Sequence, residues 1–184
     1  MGDTQSPSPH PVVQFWRQAG RDLWFAKNEA FDTKCRGFEA LWRDAAAGQL
    51  AAWEAEAEPA LALVLLLDQM PRNMFRGTPR AYETDPQARA AADRAILGGF
   101  DLGVEPALRL FFYLPFAHSE AMADQHRSVA LAQATGDADL IRASTRHHDI
   151  VARFGRFPHR NILLGRVSTP EEVAWLASEG AFRG

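Results

Sequence analysis

Pro59-Ala60-Leu61-Ala62-Leu63-Val64-Leu65-Leu66-Leu67-Asp68-Gln69 is apolar on every side of a helical wheel until its last two residues. A proline suits the first turn of a helix, where its missing N–H leaves no bond unmade. A helix with no polar face needs neighbours all round it, so residues 60–69 are expected at the centre of a helical core. The apolar run of residues 61–67 is the longest in the chain and far too short to span a bilayer.

The flanking sequence repeats the helical signal. Val12, Phe15, Trp16 and Ala19 fall at i, i+3, i+4 and i+7. Phe31, Cys35, Phe38, Leu41 and Trp42 continue that spacing, predicting one helix up to Gly48. Residues 50–56 read as a short helical turn. Asp85-Pro86 reads as an N-cap and first helical position, with Gly98-Gly99 as the stop. Residues 105–113 form a dense apolar helix that Pro115 should end, and Ser119 is a candidate cap for a helix running to Gln133. Asp137 or Asp139 opens a helix that stops at Gly155, and Thr169-Pro170-Glu171-Glu172 has the form of a capping box. Period-2 alternation is scarce and no βαβ unit is visible. The expected class is all-α: seven to nine helices, stacked as antiparallel pairs. The expected organisation is a disordered tail over residues 1–10 and a single domain over 11–184.

The chain has 184 residues, 47% hydrophobic and 23% charged, with a formal net charge of −3. That balance lacks the basic excess of a general nucleic-acid or membrane-surface binder. Cys35 is the single cysteine, so no intrachain disulfide can form. It reads as a packed small residue rather than a nucleophile. The polar, proline-bearing N-terminus has no apolar signal-peptide core, and a cytoplasmic location is expected.

Two segments carry more polar chemistry than helix packing asks for. The first is Asp68-Gln69-Met70-Pro71-Arg72-Asn73-Met74-Phe75-Arg76-Gly77-Thr78-Pro79. The second is Arg153-Phe154-Gly155-Arg156-Phe157-Pro158-His159-Arg160-Asn161, with Gly165-Arg166 and Thr169-Pro170 following. Both run from a proline through Arg and Asn to a short apolar group, a Gly and an Arg, and a Thr-Pro. Asp68 is expected near a helix C-terminus, where the dipole disfavours a carboxylate by roughly 0.3–1 kcal/mol. Arg72, one turn on, is the nearest compensating charge. Arg76 and Asn73 add donors for freed carbonyls, carboxylates or phosphates.

Histidines and acids supply a second set of candidates. His118-Ser119-Glu120 follows an aromatic run, and Gln125 lies a turn further on. Leu140, Ser144, His147, Val151 and Phe154 share one helical stripe, so His147 points with the apolar face while His148 and Asp149 lie off it. A buried histidine without partners costs about 1–3 kcal/mol, so His147 should be hydrogen-bonded. His118, Glu120, His147 and His159 are the candidates for moving protons. No HExxH, CxxC, Gly-x-Ser-x-Gly or dinucleotide fingerprint is present, and neither a metal site nor a cofactor is expected.

Three stretches together resemble one bacterial family. They are Leu66 through Gly77, Phe112-Tyr113-Leu114-Pro115-Phe116-Ala117-His118-Ser119-Glu120, and His147 to Asp149 leading into residues 153–165. Trp24-Phe25, Phe31-Asp32, Trp53 and Ser168-Thr169-Pro170-Glu171-Glu172 extend the match over nearly the whole chain after residue 10. The family is catalogued as domain of unknown function 924. The resemblance implies a tetratricopeptide-like all-α fold and brings no assigned activity. It makes His147 the matching histidine, with His148 a departure, and Met70 stands where the family more often has Phe.

Two functions of different kinds fit these residues. In the first, the motifs form a pocket for a small anionic ligand, whose catalytic use the residues do not specify. Asp68, Gln69, Arg72, Asn73, Arg76, Gln125, Arg153, Arg156, Arg160 and Asn161 would bind and position it. In the alternative, the chain is a scaffold for a peptide or protein partner and the polar motifs serve structure. The polar residues bunch into three motifs rather than recurring at a repeat near 34 residues, which favours the pocket. The sequence does not specify an oligomeric state.

Overall fold

The computed structural model describes residues 7–182. Among them it is helical throughout, with no strand. Residues 1–6 of the expected tail lie outside the described residues, while His10 already opens the first helix. No helix among the described residues is long and apolar enough to cross a membrane.

In chain order the α-helices are α1 (His10–Trp24), α2 (Glu29–Arg36), α3 (Glu39–Ala46), α4 (Ala57–Val64), α5 (Met70–Met74), α6 (Asp85–Leu97), α7 (Pro106–Ala117), α8 (Met122–Thr135), α9 (Ala138–Phe154) and α10 (Pro170–Ala177). A π-turn, Leu65–Gln69, joins α4 directly to α5. Among the described residues α4 and α5 thus make one rod, while α1 is kinked at Gly20, where φ is 70°. The chain divides into two compact units: the described residues up to Arg76 with Arg80–Pro115, and Gly77–Pro79 with the described residues from Phe116 on.

The first unit is built around the apolar run. Leu61, Ala62, Val64, Leu65 and Leu66 are fully buried, and α1 and α6 pack against α4. Phe111 is the aromatic hub, meeting Trp16 at 5.5 Å and Trp24 at 5.0 Å between ring centroids, both edge-on. Cys35 is fully buried there. Burial, with Asp32 nearby, pushes its thiol up to about 12, so it stays protonated and unreactive.

The π-turn is a consequence of Pro71. Asp68 does not sit at a helix end, as its sequence context suggests; the rod continues through Pro71 to Met74. Within the turn the Met70 N–H bonds the Leu65 carbonyl, five residues back. Pro71 has no N–H to offer the Leu67 carbonyl. That carbonyl accepts instead from Thr84 Oγ1 at 2.6 Å, and Thr84 Oγ1 accepts from Trp42 Nε1 at 3.2 Å. The Asp68 carbonyl is taken by Arg72 Nη1 at 2.6 Å. Thr84, from outside the first polar segment, thus supplies the donor that Pro71 lacks, and Arg72 covers the next carbonyl.

Several boundaries differ from the sequence expectation, each for a local reason. The single helix expected from Phe31 to Gly48 is two, α2 and α3, parted where the Phe38 N–H turns back to the Cys35 carbonyl. Residues 51–55 form a 3-10 turn. Thr84, not Asp85, is the N-cap of α6, and the Asp85 carboxylate is taken by Arg72. Pro115 lies inside α7, which runs on to Ala117. Ala121 caps α8, with Ser119 Oγ accepting the Ala121 N–H at 3.2 Å.

In the second unit α8 and α9 pack against each other. Asp137 caps α9, accepting from the Asp139 and Leu140 N–H groups. Gly155 ends α9 at φ 69°, a left-handed conformation that a residue with a Cβ seldom takes. The Thr169–Glu172 capping box of α10 forms as the sequence expects.

Candidate functional site

Asp68, Gln69, Arg72, Asn73 and Arg76 all lie in the first unit and form two bonded clusters, one on Asp68 and Asp85 and one on Asp32. Arg72 makes a two-pronged pair with Asp85 at 2.8 and 3.0 Å and reaches Asp68 Oδ1 at 3.3 Å. Asp68 is fully buried, and its Oδ2 accepts from Gln69 Nε2 at 2.5 Å. Burial works against the Arg72 charge, but Asp68 and Asp85 outweigh it and hold the guanidinium protonated. Arg76 forks onto Asp32 at 2.7 and 2.9 Å, and Asn73 Nδ2 adds a bond to Asp32 at 2.8 Å. Burial alone would raise the Asp32 carboxyl; these three bonds more than offset it and keep it below its ordinary value. Arg72 and Arg76 are therefore each matched by an acid of the same unit.

Arg153, Arg156, Asn161 and Glu120 are likewise engaged within the second unit. Arg153 pairs with Glu171 at an exposed position, 2.9 Å, where such pairs contribute about 0–1 kcal/mol. Arg156 forks onto Glu172 at 2.7 and 2.8 Å. With further bonds from the Thr169 N–H and Asn161 Nδ2, it brings the Glu172 carboxyl down to about 2. Glu120 receives Arg166 at 2.6 and 3.0 Å and the Phe157 N–H at 2.8 Å. Burial raises its carboxyl, but those bonds prevail and keep it ionised. Gln125 donates to the carbonyls of Ala117 at 3.0 Å and Ser119 at 2.5 Å, clamping the end of α7.

The remaining candidates converge. Arg160, 7% exposed, donates to the His118 carbonyl at 3.0 Å and lies 4.5 Å over the Phe157 ring. The His147 ring stands edge-on to Phe157 at 5.5 Å and to Phe182 at 4.8 Å. His118 is 6.2 Å from His147, and His159 is 5.0 Å from Phe182, between ring centroids. His147 Nδ1 is buried and has no hydrogen-bond partner. The sequence expectation of a hydrogen-bonded His147 thus fails at this nitrogen. Burial, then the charges of His118, Arg160, His159 and Arg146, press the His147 imidazole down to about 3, so it is neutral. Off the stripe, His148 pairs instead with Asp149 at 3.0 Å.

Among the described residues no group of three or more His, Cys, Asp or Glu is disposed to hold a metal ion. Along α9 a groove of about 540 Å³ is lined by Ile150, Phe154 and Trp175 together with Arg146, Arg153 and Gly180. Sequence reasoning missed Arg166, Arg146 and Phe182. Arg166 closes the Gly-Arg echo of the second segment and was legible as such; Phe182 carries no sequence signal.

The profile of a family described as bacterial proteins of unknown function, DUF924, matches residues 12–180. A solved structure of a protein of unknown function from Agrobacterium tumefaciens is 48% identical, covers 92% of this chain and 96% of that one, and superposes with a TM-score of 0.89. No curated protein matches the chain. With its three long motifs inside the matched region and its helical fold shared, the chain belongs to the bacterial family known as domain of unknown function 924.

Proposed function

We propose that the second unit binds a small anionic ligand at His147, beside His118, His159 and Arg160. The observation that carries this reading is the buried His147 Nδ1 without a hydrogen-bond partner. A buried polar nitrogen left unanswered costs about 1–3 kcal/mol, and a ligand oxygen or hydroxyl would recover it. The forces that keep His147 neutral add a second support. Arg160, Arg146 and the two other histidines all act on it as positive neighbours, which is a field that favours an anion. Phe157 and Phe182 wall the imidazole with apolar rings, where a charge-assisted bond is stronger than in water. Arg160 serves here as a fixed charge on a rigid support, since a carbonyl and a ring already hold it.

The first segment belongs to structure under this reading. Its arginines answer acids and carbonyls of their own unit, as the scaffold alternative supposes for the polar motifs.

Titration of inorganic phosphate against the protein by calorimetry tests the proposal, with His147→Phe as the paired variant. The substitution keeps an aromatic ring in the slot and removes both ring nitrogens. Phosphate should bind the wild type and raise its Tm, by about 2.7 kcal/mol of stabilisation at a hundredfold excess over Kd, and should do neither with His147→Phe. Equal phosphate binding by the two proteins would refute a site at His147.

A further inference from the structure

Among the described residues after α10, Phe182 lies against the histidine cluster. Residues 181 and 182 have no regular secondary structure, yet Phe182 is half-buried and packs on the apolar cluster of Ile150, Val151 and Phe157. Its ring meets two of the proposed ligand-site histidines edge-on, His147 at 4.8 Å and His159 at 5.0 Å. Arg146 adds a polar tether to that packing on α9. Arg146 Nη2 donates to the Gly180 carbonyl at 2.9 Å, and the Arg146 guanidinium lies 5.3 Å from the Phe182 ring centroid. Arg146 makes no ion pair among the described residues, unlike Arg153 and Arg156, so its charge is directed at the tail.

A contact of this kind is strong enough to close a site and weak enough to open. One exposed hydrogen bond and one cation–π contact each contribute only modestly, and segments held by few contacts open locally while the rest of the fold stays intact. The groove along α9 offers the leaving ring an apolar surface at Ile150, Phe154 and Trp175.

We infer that residues 180–182 form a strap, latched by Arg146, whose Phe182 ring shuts the His147–His159 site and must lift before an anion can reach it. The inference deepens the proposed anion site and rests on that reading for its purpose, though the strap can be tested without any ligand.

The probe is diethyl pyrocarbonate, which acylates neutral imidazole, with the modified histidines located by mass spectrometry. His147 is neutral over the working range, so a slow rate there reports access and not protonation. Exposed His126 provides the internal reference. In the wild type His147 should react far more slowly than His126. Phe182→Ala should speed His147 by about tenfold or more, and Arg146→Gln should speed it by a smaller factor, with His126 unchanged in both. Arg146 is exposed, so its variant leaves the core untouched should Phe182→Ala disturb folding. A rate at His147 unchanged in both folded variants would overturn the strap, and a gain in Phe182→Ala alone would overturn the Arg146 latch. Faster acylation in both variants, with no phosphate binding by any of the proteins, would leave the strap standing and remove the anion site.

Discussion

In the first unit, Arg72 and Arg76 reach Asp85, Asp68 and Asp32; in the second, Arg160 donates to the His118 carbonyl, lies over the Phe157 ring and acts through its charge on Glu120. The two Pro-Arg-Asn segments share a vocabulary, and their surroundings separate them. Around Pro71 every freed group described above has an answer: Thr84 for the Leu67 carbonyl, Arg72 for the Asp68 carbonyl and carboxylate. Around Pro158 the acids are also matched, Glu120 by Arg166 and Glu172 by Arg156. Yet His147 Nδ1 is among the buried atoms there with no hydrogen-bond partner, and it faces positive neighbours. A polar motif that closes on itself does the work of a helix joint, whereas a buried polar atom left unanswered beside a cation calls for a partner from outside the motif.

The largest effect should come from opening the Asp68 cluster. Arg72→Ala leaves the buried Asp68 carboxylate without its cation, and should destabilise the protein by about 3–5 kcal/mol in urea unfolding. A loss below about 1 kcal/mol would show that Asp68 is relieved by other means, and the contrast between the segments would weaken.

A smaller effect separates the units by pH. His147 has its folded value depressed to about 3 from an ordinary 6.5. The unfolded chain therefore takes up a proton that the folded one refuses. The stability that a neutral His147 contributes is complete above about pH 6.5 and is lost as pH falls toward 3, by up to about 1.4 kcal/mol per pH unit. His147→Phe should flatten the acid side of the stability profile by that slope between about pH 6 and pH 4, the carboxyl contributions such as that of Glu172 being common to both proteins. An unaltered profile would mean that His147 ionises in the folded protein as freely as in the unfolded one.

The helical class was legible because spacing alone carries it: the stripe Val12, Phe15, Trp16 fixes the buried face of α1, and Val12 and Trp16 are fully buried. The π-turn was not legible. A run of leucines apolar all round has no phase from which an extra residue per turn could be noticed, and the sign of trouble, Pro71, reads equally well as a helix end. The break at Gly37 was hidden for a related reason, since Gly37 keeps an ordinary helical φ of −60° and the apolar spacing continues past it. Of the candidate site, His147 was placed correctly on its apolar stripe and Arg72 was correctly paired with Asp68. Which acid an arginine answers depends on partners tens of residues away, such as Asp32 for Arg76 and Glu120 for Arg166. Phe182 follows a short helix with no pattern of its own, and only its place against His147 gives it meaning.

Nitrogen NMR of the His147 imidazole, followed from pH 8 to pH 4 with and without inorganic phosphate, goes straight to the unanswered nitrogen. Without phosphate His147 should remain neutral across that range. With phosphate the His147 nitrogen resonances should move and its protonation should shift upward, because an anion beside it favours the charged ring. A His147 that titrates near 6.5, and whose resonances ignore phosphate, would contradict the anion site at its root.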